Sequence, residues 1–131
     1  LMVAEIDPPN SVVRYVNAGH NPALLVSANG EVEELPSGGL PLGLFDSGSY
    51  QVGRLELGVG DLVCIYSDGI TESTSPRDEE FGVERLADLL CSTRERPLSE
   101  IVKAVDTAVT EFESGLSQMD DQTLVLIRRT A

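Results

Sequence analysis

The apolar residues of this chain change their spacing once, from the short runs typical of β-strands to the interval typical of α-helices, and then change back. In the first half, turn residues separate short apolar runs, which predicts strands joined by hairpins. From Val83 the apolar positions fall at helical spacing, and a second helix is predicted from about Pro97 to Gly115. A last apolar run, residues 123–127, again predicts a strand. This order predicts an α+β fold in which helices cover an antiparallel sheet.

Turn signals set the predicted strand boundaries. Asp7-Pro8-Pro9-Asn10 and Asn29-Gly30 each lie between two apolar runs and predict hairpins. The turn Gly58–Asp61 predicts a third hairpin, and the Gly- and Pro-rich residues 36–48 predict an irregular loop. The predicted strands are residues 1–6, 11–18, 22–28, 31–35, 50–57, 62–67 and 123–127.

The charge balance excludes some classes of partner. Nine Lys and Arg against 22 Asp and Glu give a net charge of −13, so neither nucleic acid nor anionic membrane is an expected partner. Such a net charge attracts divalent cations or a basic partner, although acidity for solubility alone is the favoured explanation. The two cysteines, Cys64 and Cys91, form no disulfide framework and are expected to be buried apolar side chains.

No apolar run approaches the roughly 20 residues that cross a bilayer, and no basic-then-apolar leader opens the sequence. We therefore expect a cytoplasmic protein without membrane insertion. The apolar pattern of a strand is present from the first residue, in residues 1–6. The chain is therefore expected to be a piece of a longer protein.

Carboxylates stand at the ends of two predicted strands. Asp68-Gly69 follows the apolar run 62–67, and Asp120-Asp121 precedes the last strand. If these strands are antiparallel neighbours, the carboxylates converge at one sheet edge. Mg²⁺ and Mn²⁺ prefer such oxygen ligands, and Gly69 would leave room for backbone and solvent beside an ion. The alternative is that Asp-Gly and Asp-Asp simply form turns.

Five motifs, taken in order, resemble one protein family. They are YVNAGHNPALL, SGGLPLGL, LELGVGDLVCIYSDGITES, FGVERLADLL and DDQTLVLI. Together they resemble the sporulation-stage-II-E/RsbU-type branch of the PPM (PP2C-like) Ser/Thr protein phosphatases, from Val13 to Arg128. The resemblance implies a sandwich of two antiparallel sheets flanked by helices.

It also implies a mechanism and a partner. Asp68 and Asp120 would be metal ligands, with Asp121 and Gly69 as further candidates, at a site for two Mn²⁺ or Mg²⁺ ions. The implied reaction is hydrolysis of phosphoserine or phosphothreonine by an activated water. The implied substrate is a phosphorylated regulatory protein, such as an anti-anti-sigma factor of the STAS type in bacterial signalling.

One part of the family pattern is missing from the sequence. The Asp-rich segment that supplies the metal-bridging carboxylate should lie upstream of Leu1. Residues 1–131 are therefore expected to be the C-terminal part of one phosphatase domain without its N-terminal strands. This piece alone is expected to bind metal weakly and to have little or no activity. The uncovered sheet is expected to promote self-association.

Two other functions stay open at this point. The same fold could be a non-catalytic module that docks a phosphoprotein, or an acidic structural domain whose Asp turns bind nothing. His20, the only histidine, is a candidate general acid, but its place after Asn17-Ala18-Gly19 favours a backbone hydrogen bond within a turn.

Overall fold

A computed structural model describes residues 1–35, 38–44 and 48–131. The strands are β1 (Met2–Asp7), β2 (Val12–Asn17), β3 (Leu24–Val26), β4 (Val32–Glu34), β5 (Gly53–Glu56), β6 (Leu62–Tyr66) and β7 (Leu124–Arg128). The helices are α1 (Asp68–Thr71), α2 (Gly82–Thr93) and α3 (Leu98–Glu113), and Pro8–Asn10 form a 3-10 turn. Of the predicted loop 36–48, residues 36–37 and 45–47 lie outside the described residues, and the remainder contains neither helix nor strand.

The strands of the described residues form two antiparallel sheets. One sheet has the order β1-β2-β5 and the other has the order β4-β3-β6-β7. The sheets pack on each other, and α2 and α3 cover the free face of the four-stranded sheet. This arrangement confirms the predicted α+β sandwich with flanking helices.

Strand β6 is buried on both faces, which explains its uninterrupted apolar sequence. Leu62, Cys64 and Tyr66 face the helices and join the helix-side core, whereas Val63 faces the other sheet. Alternate residues of a strand point to opposite faces, so burial on both faces requires apolar residues at every position. Cys64 is fully buried as predicted, and Cys91 is half-buried.

The third predicted hairpin, from residues 50–57 to residues 62–67, is wrong. β5 pairs with β2 in one sheet, whereas β6 lies between β3 and β7 in the other. Asp61 shapes the connection, because its carboxylate accepts hydrogen bonds from the Gly58 amide at 2.7 Å and the Ala28 amide at 2.9 Å. Leu57 is buried between the sheets, and so the chain crosses from one layer to the other instead of folding back. The other two predicted hairpins are confirmed.

Helix α3 begins and ends close to the predicted positions. Pro97 is its N-cap, and its last residue is Glu113. Ser114 and Gly115 then adopt positive φ angles of 49° and 86°, a conformation that stops a helix and suits glycine. At the end of α2, Arg128 donates to the carbonyl groups of Arg94 and Arg96. The bond to Arg94 satisfies the carbonyl of the C-cap residue, and the bond to Arg96 holds the turn that follows the helix.

Part of the apolar surface remains open to solvent. Val3 and Ile6 of β1 are 57% and 49% exposed, and Val125 of β7 is 45% exposed. Both strands lie at the edge of their sheet, where unpaired backbone groups invite another strand. The predicted self-association stays a prediction. Within the described ranges, none of the helices has the length and apolar content needed to traverse a bilayer.

Candidate metal centre

The pairing of β6 with β7 determines which residues meet at the candidate site. The two strands are antiparallel and their last pair is Tyr66 with Leu124. The residues that follow β6 therefore lie beside the residues that precede β7. This pairing satisfies the condition on which the predicted convergence of Asp68 with Asp120 depended. We call this edge, residues 67–69 and 120–123, the acidic rim.

Ser67 holds the two sides of the acidic rim together. Its hydroxyl donates to the Asp121 carbonyl at 2.8 Å and accepts from the Thr123 amide at 2.8 Å. The Ser67 amide donates to the Thr123 carbonyl at 3.0 Å. Three hydrogen bonds thus extend the strand pairing by one residue and fix the backbone that carries both acidic segments.

Both candidate carboxylates are exposed, and among the described residues each accepts only a local hydrogen bond. Asp68 begins α1, and its Oδ1 accepts from the Gly69 amide at 3.1 Å. Asp120 Oδ1 accepts from the Asp121 amide at 2.7 Å. Such bonds to their own backbone are also what turn-forming aspartates make. The remaining lone pairs of each carboxylate suit a hard cation as well as they suit water.

Gly69 has a packing role that the sequence did not reveal. A Cβ atom at this position would lie 2.5 Å from the Asp121 carbonyl oxygen and 3.3 Å from the Asp120 carbonyl carbon. Only glycine permits this approach of α1 to the 120–121 backbone. The prediction that Gly69 leaves room beside an ion is untested, whereas its contact with the neighbouring backbone is direct.

The donor set fits Mn²⁺ or Mg²⁺ in type. Asp68, Asp120 and Asp121 offer carboxylate oxygens at the surface, where such ions also keep several water ligands. Across residues 1–35, 38–44 and 48–131, no three His, Cys, Asp or Glu side chains come together as an ion site. The rim therefore provides oxygen ligands without forming a complete cage.

A cleft of about 300 Å³ opens beside α1. Glu34, Glu72 and Glu80 contribute acidic side chains to its walls, and Tyr66 also lines it. Burial, followed by the charge of Glu34, raises the pKa of the Tyr66 hydroxyl. The shift in the pKa of Tyr66 favours its neutral hydroxyl over the phenolate.

His20 is held in a tight loop, as the turn interpretation predicts. The fully buried Asn17 accepts from the His20 amide at 2.8 Å and donates to its carbonyl at 2.9 Å. The His20 ring nitrogen Nδ1 lies 2.9 Å from the Asn21 carbonyl oxygen. Gly19 has a φ of +78°, which confirms it as a turn residue. A catalytic role for His20 stays an untested prediction.

Sequence reasoning missed Ser67, Ser73, Glu113 and Gln122. Ser67 and Ser73 flank the Asp-Gly motif, so their spacing offered a signal for local hydrogen bonds. Gln122 lies within the DDQT motif, next to the candidate ligands. Glu113 offered no signal, since only the packing of α3 brings it near this edge.

Comparisons with known proteins give a consistent result. The family model of stage II sporulation protein E (SpoIIE) matches residues 1–130. Protein IcfG of Synechocystis is 29% identical over 129 residues, which are 98% of this chain and 20% of that protein. Phosphoserine phosphatase RsbP of Bacillus subtilis is 26% identical over 123 residues, 94% of this chain and 29% of that protein. The chain thus spans less than a third of either relative.

Solved structures show the same fold. The SiaA-PP2C domain of Pseudomonas aeruginosa has a TM-score of 0.84 at 23% identity, covering 97% of this chain and 50% of that one. The phosphatase domain of SpoIIE from Bacillus subtilis, presoaked with Mn, has a TM-score of 0.75 at 19% identity, covering 98% and 56%. At these identities the likeness concerns the fold, which is PP2C-like.

Proposed function

The chain belongs to the stage II sporulation protein E family, and from this premise we propose that it contributes to a metal-dependent phosphatase acting on phosphoserine or phosphothreonine of a regulatory protein. The observation that supports the proposal is the close approach of Gly69 to the Asp120–Asp121 backbone, where a Cβ atom would lie 2.5 Å from the Asp121 carbonyl oxygen. The β6–β7 pairing brings together the backbone segments that carry the Asp68 and Asp120 carboxylates, which are 52 positions apart in sequence.

The residues of the acidic rim have separate roles in this proposal. Asp68 and Asp120 would hold the ion, with Asp121 as a further ligand. Bound Mn²⁺ or Mg²⁺ supplies the Lewis acidity that makes water nucleophilic at neutral pH and offsets phosphoryl charge. Ser67 fixes the spacing of the two ligand segments, and Gly69 allows their close approach. No residue of the chain needs to form a covalent bond with the phosphoryl group.

We further propose that residues 1–131 are the C-terminal part of one PPM-type domain, whose remaining carboxylate ligand lies outside this chain. Support comes from the coverage of solved structures, since nearly the whole chain matches only 50% of the SiaA-PP2C domain chain. It also comes from the described residues, among which no three His, Cys, Asp or Glu side chains lie together as a metal site. The 131-residue piece by itself is then expected to bind Mn²⁺ weakly and to turn over little substrate.

The proposed substrate is a phosphorylated anti-anti-sigma protein of the STAS type. Support for a phosphoserine substrate comes from the relative RsbP, which is named a phosphoserine phosphatase. The proposed setting, bacterial signalling in the cytoplasm, follows from the family resemblance.

A second function is docking of a phosphoprotein without hydrolysis. It is favoured by the same observation, that no three metal-capable side chains come together among the described residues. A site without a third carboxylate would still present a shaped rim to a partner. The upstream sequence separates the two functions, because a ligand-bearing Asp segment supports the enzyme and non-ligating residues support docking.

Mn²⁺ titration by calorimetry tests the metal site. In the complete domain, Asp68→Asn is expected to weaken Mn²⁺ binding by at least about 10-fold, because it removes a direct charged ligand. Asp88→Asn is the matched control, since Asp88 is an exposed aspartate on α2 and its loss changes the net charge equally. An unchanged isotherm for Asp68→Asn would show that the rim aspartates only form turns.

A phosphatase assay with Mn²⁺ tests the reaction. The complete domain should release phosphate from a phosphoserine protein, and the 131-residue chain should release little. Robust turnover by the 131-residue chain alone would refute the proposed division of the ligands.

A further inference from the structure

A partly buried hydrogen-bond network connects the acidic rim to helix α3. Its members come from three separate elements: Ser73 after α1, Glu113 at the end of α3, and Gln122 just before β7. Ser73 is 7% exposed, and the other two are half-buried. Buried polar groups of this kind are expected to be paired, and these three pair with one another.

The distances define how the network closes. The Gln122 amide nitrogen donates to Ser73 Oγ at 3.1 Å and to Glu113 Oε1 at 3.0 Å. Ser73 Oγ lies 3.0 Å from Glu113 Oε1 and 2.7 Å from the Gly69 carbonyl oxygen. Since Ser73 has one hydroxyl proton, it donates at any instant either to Glu113 or to the Gly69 carbonyl. The Gln122 amide gives Glu113 a donor in both cases.

The network ties together the two segments that carry the candidate ligands. Through Ser73 it holds the Gly69 peptide, next to Asp68, and through Gln122 it holds the loop that follows Asp120 and Asp121. Ser67 ties the same two segments on the strand side. The spacing between the ligands is therefore fixed from two sides, once by the strands and once by helix α3.

We propose that Glu113 and Gln122 are positioning residues that set the spacing of Asp68 and Asp120 for a divalent cation. Neither needs to touch the ion, because both act through the backbone that carries the ligands. This inference rests on the proposed function. Partners that orient metal ligands typically change affinity by 10- to 100-fold when they are removed.

Glu113→Ala tests the proposal in the intact protein by Mn²⁺ calorimetry. The variant is expected to weaken Mn²⁺ binding by about 10-fold, at the low end of that range because Ser67 still links the same two segments. Glu113→Gln keeps an oxygen that accepts from Gln122 and Ser73, and it should restore the affinity to within about threefold. Glu111→Ala is the control, since it removes an exposed glutamate from the same helical turn.

A second variant keeps the proposal testable if Glu113→Ala does not fold. Gln122→Ala changes a loop residue and removes both amide donors, and it should weaken Mn²⁺ binding by a similar factor. The double variant should be no weaker than either single variant, because residues of one network are not additive.

Amide hydrogen exchange of the metal-free protein gives an independent readout. In Glu113→Ala the Thr123 amide, which donates to Ser67, should exchange faster as the loop loosens, while amides in the middle of α3 stay protected.

The outcomes separate this inference from the proposed function. Equal Mn²⁺ affinity in wild type, Glu113→Ala and Gln122→Ala, or unchanged Thr123 exchange, overturns the positioning role alone. If the wild-type intact protein binds no Mn²⁺, the proposed function is wrong and this inference fails with it.

Discussion

Replacing Gly69 with alanine sets two physical effects against each other. Gly69 lies within the one-turn helix α1 and has no positive φ, so alanine suits its backbone. Helix propensity alone therefore predicts stabilisation by about 0.5–1 kcal/mol. Steric contact predicts the opposite, because the new Cβ atom would lie 2.5 Å from the Asp121 carbonyl oxygen and 3.0 Å from its carbonyl carbon.

The steric effect is the larger one. Ordinary contacts between heavy atoms lie near 3.5–4.0 Å, so the overlap with the Asp121 oxygen is roughly 1 Å. The obstacle is backbone, and that backbone is held by hydrogen bonds of Ser67 at 2.8 Å on either side of Gln122. Overpacking of this kind costs about 1–3 kcal/mol, and breaking one of those bonds adds about 1 kcal/mol. The net expectation is destabilisation by about 1–3 kcal/mol.

Urea unfolding measures this difference. With a slope near 2 kcal/mol per M, the midpoint should fall by roughly 0.5–1.5 M. Gly48→Ala is the matched control, since a Cβ atom there meets its nearest neighbour only at 3.7 Å, and it should change stability by less than about 0.5 kcal/mol. A Gly69→Ala protein as stable as wild type, or more stable, would refute the steric argument.

Three further predictions concern the core, the thiol and the open edge. Asn17→Ala should cost about 2–4 kcal/mol in urea unfolding, because it leaves the amide and carbonyl of His20 without their buried partner, and a loss under about 1 kcal/mol would contradict this. Burial raises the pKa of the Cys64 thiol from 9.0 to about 12, so the unfolded thiol ionises first and stability should fall as pH rises through that window. Cys64→Ala should make this fall shallower, and an identical pH profile would count against it. The exposed Val3 and Ile6 should promote association of the 131-residue chain, and a monomer by light scattering across a range of concentrations would contradict that.

The location of the acidic rim was predictable because it depends on neighbouring residues along two strands. The apolar run of β6 ends directly before Asp68, and Asp120-Asp121 stand directly before β7. Only the pairing of the two strands had to be assumed, and the structure supplies it. Local signals of this kind also predicted the turn around Gly19 and the end of α3 near Gly115.

Features that depend on packing between layers were not predictable. The turn Gly58–Asp61 has the composition of a hairpin, yet it joins two sheets, with β5 paired to β2 and Leu57 buried between the layers. Glu113 lies 40 positions from Ser73, and its approach requires the docking of α3 against β7. A single sequence carries no signal for such contacts, since they arise from the angle and register at which elements pack.

The geometry of the candidate site is set by the core of β6 as much as by the rim itself. Cys64 pairs with Leu126, and both face the helix-side core. A register slip of one residue would turn these side chains to the wrong face, so the core forbids it. A slip of two residues would keep the faces but shift Asp120 along the strand by about 7 Å relative to Asp68. It would also move Ser67 away from the Asp121 carbonyl and from the Thr123 amide. The relative position of the two acidic segments is therefore a property of strand register, and the proposed pairing of Asp68 with Asp120 depends on that register.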